Sequence, residues 1–222
     1  MATTTKSLLQ RLIDLDTAVS LRIHSSFVCI PRLLLKTLEI SGDGRLWFPI
    51  SLSLFPFSSS SSTTSFSLLF SLLLGLLLDI LIIGLIKHLV RRPRPVYNKG
   101  MSLTFAVDHW SFPSGHSSRV FFIASFLYLC YDSVQRWIGE YWAGGGGNRL
   151  EKMVVPAVFV WSAATSASRV LLGRHFVLDV IAGAGLGVIE ALITFRFVSK
   201  LGVGHMLSRN NQERGLMEQV LW

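Results

Sequence analysis

The sequence predicts an all-α protein, a multi-pass membrane helix bundle. Three observations carry this. Half of the 222 residues are hydrophobic and only 15% are charged, and the mean hydropathy is +0.51, a balance uncommon in a soluble domain. Several apolar runs approach the roughly 20 residues that a helix needs to cross a bilayer. Inside lipid the backbone must satisfy its own polar groups, which a helix does within one segment. The length suits one domain rather than two. The net charge of +8 suits anionic headgroups or phosphorylated substrates; the apolar runs make nucleic acid a poor partner.

The chain begins with an amphipathic stretch. Leu8, Leu9, Leu12, Ile13 and Leu15 recur at helical spacing, with Arg11, Asp14 and Asp16 between them, which fits a helix lying on the membrane surface. Residues 1–26 are therefore read as an N-terminal surface segment, 27–199 as the membrane domain and 200–222 as a polar tail. The two aspartates and the missing apolar core exclude a signal peptide from the opening residues. Pro31 to Ile40 reads as a helix with proline at its first turn, and Ser41-Gly42-Asp43-Gly44 as a turn. Leu46 to Phe57 is apolar but too short to span alone, and the serine run from Ser58 reads as a loop.

Four further runs follow: Phe66 to Ile86, Ser117 to Tyr131, Met153 to Ala167 and Phe176 to Ser199. Between them lie a basic, proline-rich loop, Lys87 to Trp110, and a polar loop, Asp132 to Lys152, with a glycine tip at Gly144 to Gly147. With Leu46 to Phe57 and its flanks, five spans are counted. Asp79, Ile83 and Lys87 fall on one helical face. Glu190 is expected to point into the bundle, where it lines a channel or pairs with Arg196. Gly183 and Gly187 form a small-xxx-small pattern suited to close helix packing. Cys29 and Cys130 have no metal or disulfide spacing and read as ordinary apolar residues.

Three polar clusters break the apolar pattern. The first is Lys87-His88-Leu89-Val90-Arg91-Arg92-Pro93-Arg94-Pro95, where two prolines fix the backbone around Arg94. The second is Ser111-Phe112-Pro113-Ser114-Gly115-His116, a small-residue turn that opens a helix and suits an anion. The third runs from Ser168 to Asp179. Read as one helix, it places His175 and Asp179 on a shared face, with Arg169 just before them. The first two clusters share one loop, and two spans separate that loop from the third. All three must therefore emerge on the same side of the membrane.

That convergence suggests phosphoryl transfer, which needs positive charge around three oxygens and little covalent machinery. Lys87, Arg94 and Arg169 supply the charge, and Ser114 and the Gly115 N–H add neutral donors. His175 is the candidate nucleophile, forming a phosphohistidine, and Asp179 orients its ring. His116 is the candidate general acid and base. Arg91, Arg92, Arg119 and Arg174 fit a phosphate or a headgroup contact equally well. With no acidic cluster of magnesium type and no zinc spacing, the reaction is expected to need no metal and no cofactor.

These residues resemble the three signature motifs of the type 2 phosphatidic acid phosphatase superfamily: Lys87 with Arg94-Pro95; Pro113-Ser114-Gly115-His116; and Ser168-Arg169 with His175 and Asp179. The context Ser111 to Arg119 is similar to the branch of plant lipid phosphate phosphatases of the beta type and animal polyisoprenoid diphosphate phosphatases. The resemblance implies a six-helix core, the roles given above, a lipid phosphate or diphosphate as substrate (phosphatidate or an isoprenoid diphosphate) and residence in the endoplasmic reticulum. The first core helix is then expected within Phe27 to Phe57. A sphingoid-base phosphate is the rival substrate. A non-catalytic lipid-binding membrane protein, a transporter and a vanadate-dependent peroxidase are the rival classes.

Overall fold

The computed structural model describes residues 7–54, 63–97, 109–135 and 147–200. Among these residues the regular structure is helical, apart from one isolated antiparallel bridge between Pro93 and Trp110. The principal helices are α1 (Leu8–Ser26), α2 (Arg32–Ser41), α3 (Gly44–Ser53), α4 (Thr63–Val90), α5 (Gly115–Leu129), α6 (Gly147–Leu171) and α7 (Val177–Lys200). The all-α reading is met.

Three of these helices are long and apolar enough to cross a membrane: Phe66–Val90, Met153–Leu171 and Val177–Val198. Two of the five expected spans fall short of that length among the described residues. The third expected span, Ser117 to Tyr131, is the core of α5, which has 15 residues and reaches about 22 Å at 1.5 Å per residue. It is the central helix, packed on α7, α6 and α4, with Ser117 to Val120 and Phe122 to Phe126 buried. Residues 27–54 hold two ten-residue helices, α2 and α3, divided at the Ser41 to Gly44 turn as read from the sequence. The break is local in origin. Asp43 caps α3, its carboxylate accepting from the Arg45 N–H at 2.9 Å, and Gly42 closes α2. Residues 55–62 lie outside the described set, as do 136–146 and the tail from 201. At the glycine tip, α6 already begins at Gly147.

The core forms where α4, α5 and α7 meet, around Leu68, Leu72, Leu76, Phe122, Ile123, Phe126 and Ala191. Asp79, Ile83 and Lys87 are all buried, as their shared face requires. Glu190 points inward but does not pair with Arg196. It accepts from Ser118 Oγ at 3.2 Å and meets the Asp79 carboxyl, and Arg119 Nη2 stands 2.8 Å from Asp79 Oδ2. A carboxylate or guanidinium in lipid would cost several kcal/mol alone. Here each has a partner, so Arg119 belongs to packing.

The α5–α7 contact is backbone on backbone. A Cβ on Gly187 would lie 2.0 Å from the Ser118 carbonyl oxygen, and one on Gly183 would lie 2.4 Å from that of Ser114. Both are too close for any side chain, which confirms the small-residue reading. Gly185, on the same helix, has nothing within 4 Å of such a Cβ. Gly187→Ala is therefore expected to destabilise by about 1–3 kcal/mol or more, lowering the thermal midpoint in detergent. Gly185→Ala should leave it unchanged or raise it slightly, since alanine favours a helix by up to ~1 kcal/mol. Equal midpoints for the two variants would contradict this packing.

Candidate active site

The third polar cluster does not form one continuous helix. Gly173 adopts φ +67°, a left-handed conformation natural to glycine. It ends α6 with a tight turn in which the Arg174 N–H donates to the Arg169 carbonyl at 2.9 Å, as helices commonly stop. His175 therefore sits in the turn between α6 and α7, and Asp179 sits in the first turn of α7. Their proximity survives for a different reason. Asp179 Oδ2 reaches back to accept from the Phe176 N–H at 2.9 Å, a carboxylate capping its own helix. That brings Oδ2 to 3.7 Å from His175 Nδ1, within ion-pair range but beyond a hydrogen bond.

The partner that holds His175 is a backbone carbonyl. Nδ1 lies 2.8 Å from the Ser111 oxygen. A carbonyl only accepts, so Nδ1 carries the hydrogen and Nε2 carries the lone pair. The expectation that Asp179 itself grips the ring is corrected accordingly: Ser111 sets the tautomer, and Asp179 supplies negative charge close by. Ser111 is itself fixed, its N–H donating to the Arg92 carbonyl at 2.8 Å and its hydroxyl to the Pro93 carbonyl at 3.0 Å. The bridge between Pro93 and Trp110 joins the same two strands of loop.

The start of α5 meets this turn. The Ser114 N–H donates to the Asp179 carbonyl at 2.9 Å. Ser114 is the N-cap, its hydroxyl accepting from Ser117 Oγ at 3.0 Å and, at 3.5 Å, from the Ser117 N–H. Gly115 opens the helix, where the first N–H groups have no intrahelical partner. His116 follows, near enough to Arg169, Arg119, His175 and Lys87 for their charges to act on it. Its Nε2 is buried without a hydrogen-bond partner among the described residues.

The cations gather around His175. Arg94, Arg169 and Lys87 all act on it electrostatically. Lys87 is buried in the last turn of α4, and Arg94 Nη1 donates to the Arg174 carbonyl at 3.1 Å. Burial first, and then these three charges, hold the His175 imidazole well below its ordinary range, because each disfavours a further positive charge. All eight residues expected from sequence thus fall in one region where α4, α5, α6 and α7 meet.

Four further residues, Glu39, Ser111, Arg92 and Asp16, take parts that were not foreseen. Glu39 of α2 lies 2.5 Å from Arg169 Nη1 and 3.5 Å from Arg174 Nε. Its signal was an acid in a mostly apolar stretch. Ser111 contributes a carbonyl, for which no sequence signal exists. Arg92 is held by carboxylates instead; it bonds Asp179 and also Asp16 of α1, each at 2.7 Å. No spacing links those three positions.

Comparison with known proteins agrees with the geometry. The PAP2 superfamily model matches residues 68–202. The chain is 41% identical over 209 residues to the Arabidopsis thaliana protein named "Probable lipid phosphate phosphatase beta", covering 88% of this chain and 94% of that one. The fold is similar to that of a Bacillus subtilis transmembrane PAP2-type phosphatidylglycerolphosphate phosphatase, with a TM-score of 0.65 at 21% identity over 86% of this chain and 87% of the other. It is also similar to Aquifex aeolicus LpxE, with a TM-score of 0.58 at 23% identity over 88% and 99%. A family match across more than half the chain and a relative matched over nearly its whole length place the chain in the PAP2 superfamily, as an integral multi-pass membrane phosphatase.

Proposed function

We propose that this protein hydrolyses the phosphate monoester or diphosphate of a membrane lipid through a phosphohistidine on His175. What supports this reading most is the pairing of two histidines over one cationic pocket. His175 has its Nδ1 bonded to Ser111, which leaves Nε2 as the nucleophile. His116, on which His175, Lys87 and Arg169 act electrostatically, has a buried Nε2 without a hydrogen-bond partner among the described residues.

In the first step the Nε2 lone pair of His175 forms a bond to phosphorus, and the bond from phosphorus to the lipid oxygen breaks. His116 gives its proton to that departing oxygen. In the second step His116 takes a proton from water, the water oxygen attacks phosphorus, and the N–P bond breaks, returning the lone pair to His175. Lys87, Arg94 and Arg169 neutralise the phosphoryl oxygens, with the α5 N-terminus at Ser114 and Gly115 adding neutral dipoles. The arriving phosphate brings the negative charge that stabilises protonated His116. Three side-chain cations fill the role a bound metal plays in other phosphatases, so the reaction is metal-independent.

The apolar outer surface of α4, α6 and α7 keeps the lipid tail in the bilayer while the headgroup enters the polar end. Phosphatidate and isoprenoid diphosphate are the substrates this reading favours, with a sphingoid-base phosphate as the alternative. The endoplasmic reticulum is the expected compartment. Assay of all three lipids with purified protein in detergent, where no gradient exists, selects among them and separates hydrolysis from transport or simple binding. Release of no phosphate from any of the three contradicts the enzymatic reading.

Four outcomes follow. His175→Ala should lower kcat by at least about a thousandfold while keeping the wild-type thermal midpoint; near-native turnover contradicts the nucleophile assignment. Activity should survive EDTA, and its loss on chelation contradicts metal independence. Because the site keeps His175 neutral, the acid limb of kcat/KM should fall below the ordinary histidine value near 6.5. The same depression has a sign for stability. The unfolded chain takes up a proton that the folded site refuses, so stability should decline as pH drops below about 6.5. An acid limb at or above that value contradicts the assigned environment.

A further inference from the structure

The contacts behind His175 do not end at Asp179. Arg92 donates from Nη1 to Asp179 Oδ1 and from Nη2 to Asp16 Oδ2, both at 2.7 Å. Its guanidinium lies 4.0 Å from the centre of the Phe176 ring, which fixes it from a second side. Asp16 Oδ1 in turn accepts from the Leu178 N–H at 3.1 Å. Ser20, one turn along α1, accepts from the Val177 N–H at 2.9 Å. The exposed amides at the start of α7 are thus capped by two side chains of α1 and by Asp179 itself.

This arrangement is not what membrane attachment requires. α1 turns its leucines outward, with Leu8 77% and Leu15 61% exposed, and buries Asp16 and Ser20. Leucines toward lipid suffice to anchor a surface helix. Burying a carboxylate is costly unless it is paired, and here its partners are the cation and the amides that also hold Asp179. The three groups together carry two negative charges and one positive. One net negative charge therefore stands beside the histidine on which positive charge develops.

We propose that Asp16 and Arg92 are positioning residues for the reaction, acting through Asp179 on His175. Asp16 occupies one arm of the Arg92 fork. Without it, Arg92 neutralises Asp179 and leaves the imidazolium-like phosphohistidine without a counter-charge. α1 is then a working part of the active site as well as a membrane-surface helix. The inference rests on the phosphohistidine reading, and its test keeps the two apart.

The test uses the full chain in detergent and the faster wild-type substrate of two probes, dioctanoyl phosphatidate and farnesyl diphosphate. Asp16→Asn should lower kcat by about tenfold to a hundredfold, the scale of a displaced catalytic group, with KM within about threefold of wild type. Adding Arg92→Gln to Asp16→Asn should restore part of that kcat, because the Asp179 charge is freed again. A purely structural role predicts losses that multiply, which contradicts the proposal, as does a folded Asp16→Asn with wild-type kcat or a change confined to KM. Should Asp16→Asn fail to fold, Arg92→Lys replaces the fork with a point charge that holds one carboxylate. The same kcat loss at constant KM is expected, and wild-type kcat contradicts the proposal. His175→Ala is measured alongside. Activity there contradicts the nucleophile reading itself, whereas its loss beside a wild-type Asp16→Asn contradicts the present inference alone.

Discussion

One backbone hydrogen bond, from the Ser114 N–H to the Asp179 carbonyl, joins the two helix starts on which the site depends. It forms only because α5 and α7 approach with no side chain between them, at Gly183 and Gly187. That approach places His116, two residues after Ser114, and His175, four residues before Asp179, on one pocket. The same geometry brings the Ser111 carbonyl to His175 Nδ1. The tautomer of His175 and the places of the proposed nucleophile and acid are therefore set by backbone positions, which vary less than side-chain rotamers.

Around this frame the chain collects charge that its apolar helices could not tolerate elsewhere. The acidic side chains Asp79 and Glu190 are partnered deep in the bundle, Asp79 by Arg119 and Glu190 by Ser118. Asp16 and Asp179 are satisfied by Arg92 and the α7 amides. Around His175 the chain gathers the cations Lys87, Arg94 and Arg169, each of which acts on the imidazole electrostatically. Glu39 is the carboxylate that the Arg169 and Arg174 guanidiniums share. A dianionic phosphate competes well for such a cluster, since it offers more charge and more acceptors than one carboxylate.

How much of this could be read beforehand depended on range. The common side of the three polar clusters followed from hydropathy alone, because parity needs only the order of the spans. The buried face of Asp79, Ile83 and Lys87, and the glycine contact on α7, followed from helical periodicity. The end of α6 was signalled by Leu171-Leu172-Gly173, a stop that reading one helix across the cluster passed over. The division between α2 and α3 was legible in Ser41 to Gly44, because a Gly-Asp-Gly turn with a capping carboxylate acts over a few residues. The ties from Asp16 to Arg92 and from Glu39 to Arg169 were not readable. Amphipathicity identifies two faces of α1 but not which one turns inward, and here the polar face does. Partners 76 residues apart in sequence meet only once the bundle is built.

The account stands on His175 as the atom that takes the phosphoryl group. Its most direct test is an acid-sparing quench of the enzyme with lipid substrate labelled in the phosphate, followed by mass spectrometry of the peptides. The account predicts a base-stable, acid-labile phosphate on His175 that appears within the first turnover and chases into inorganic phosphate. A label on another residue, or rapid turnover with no phosphoenzyme formed at any time, would contradict it.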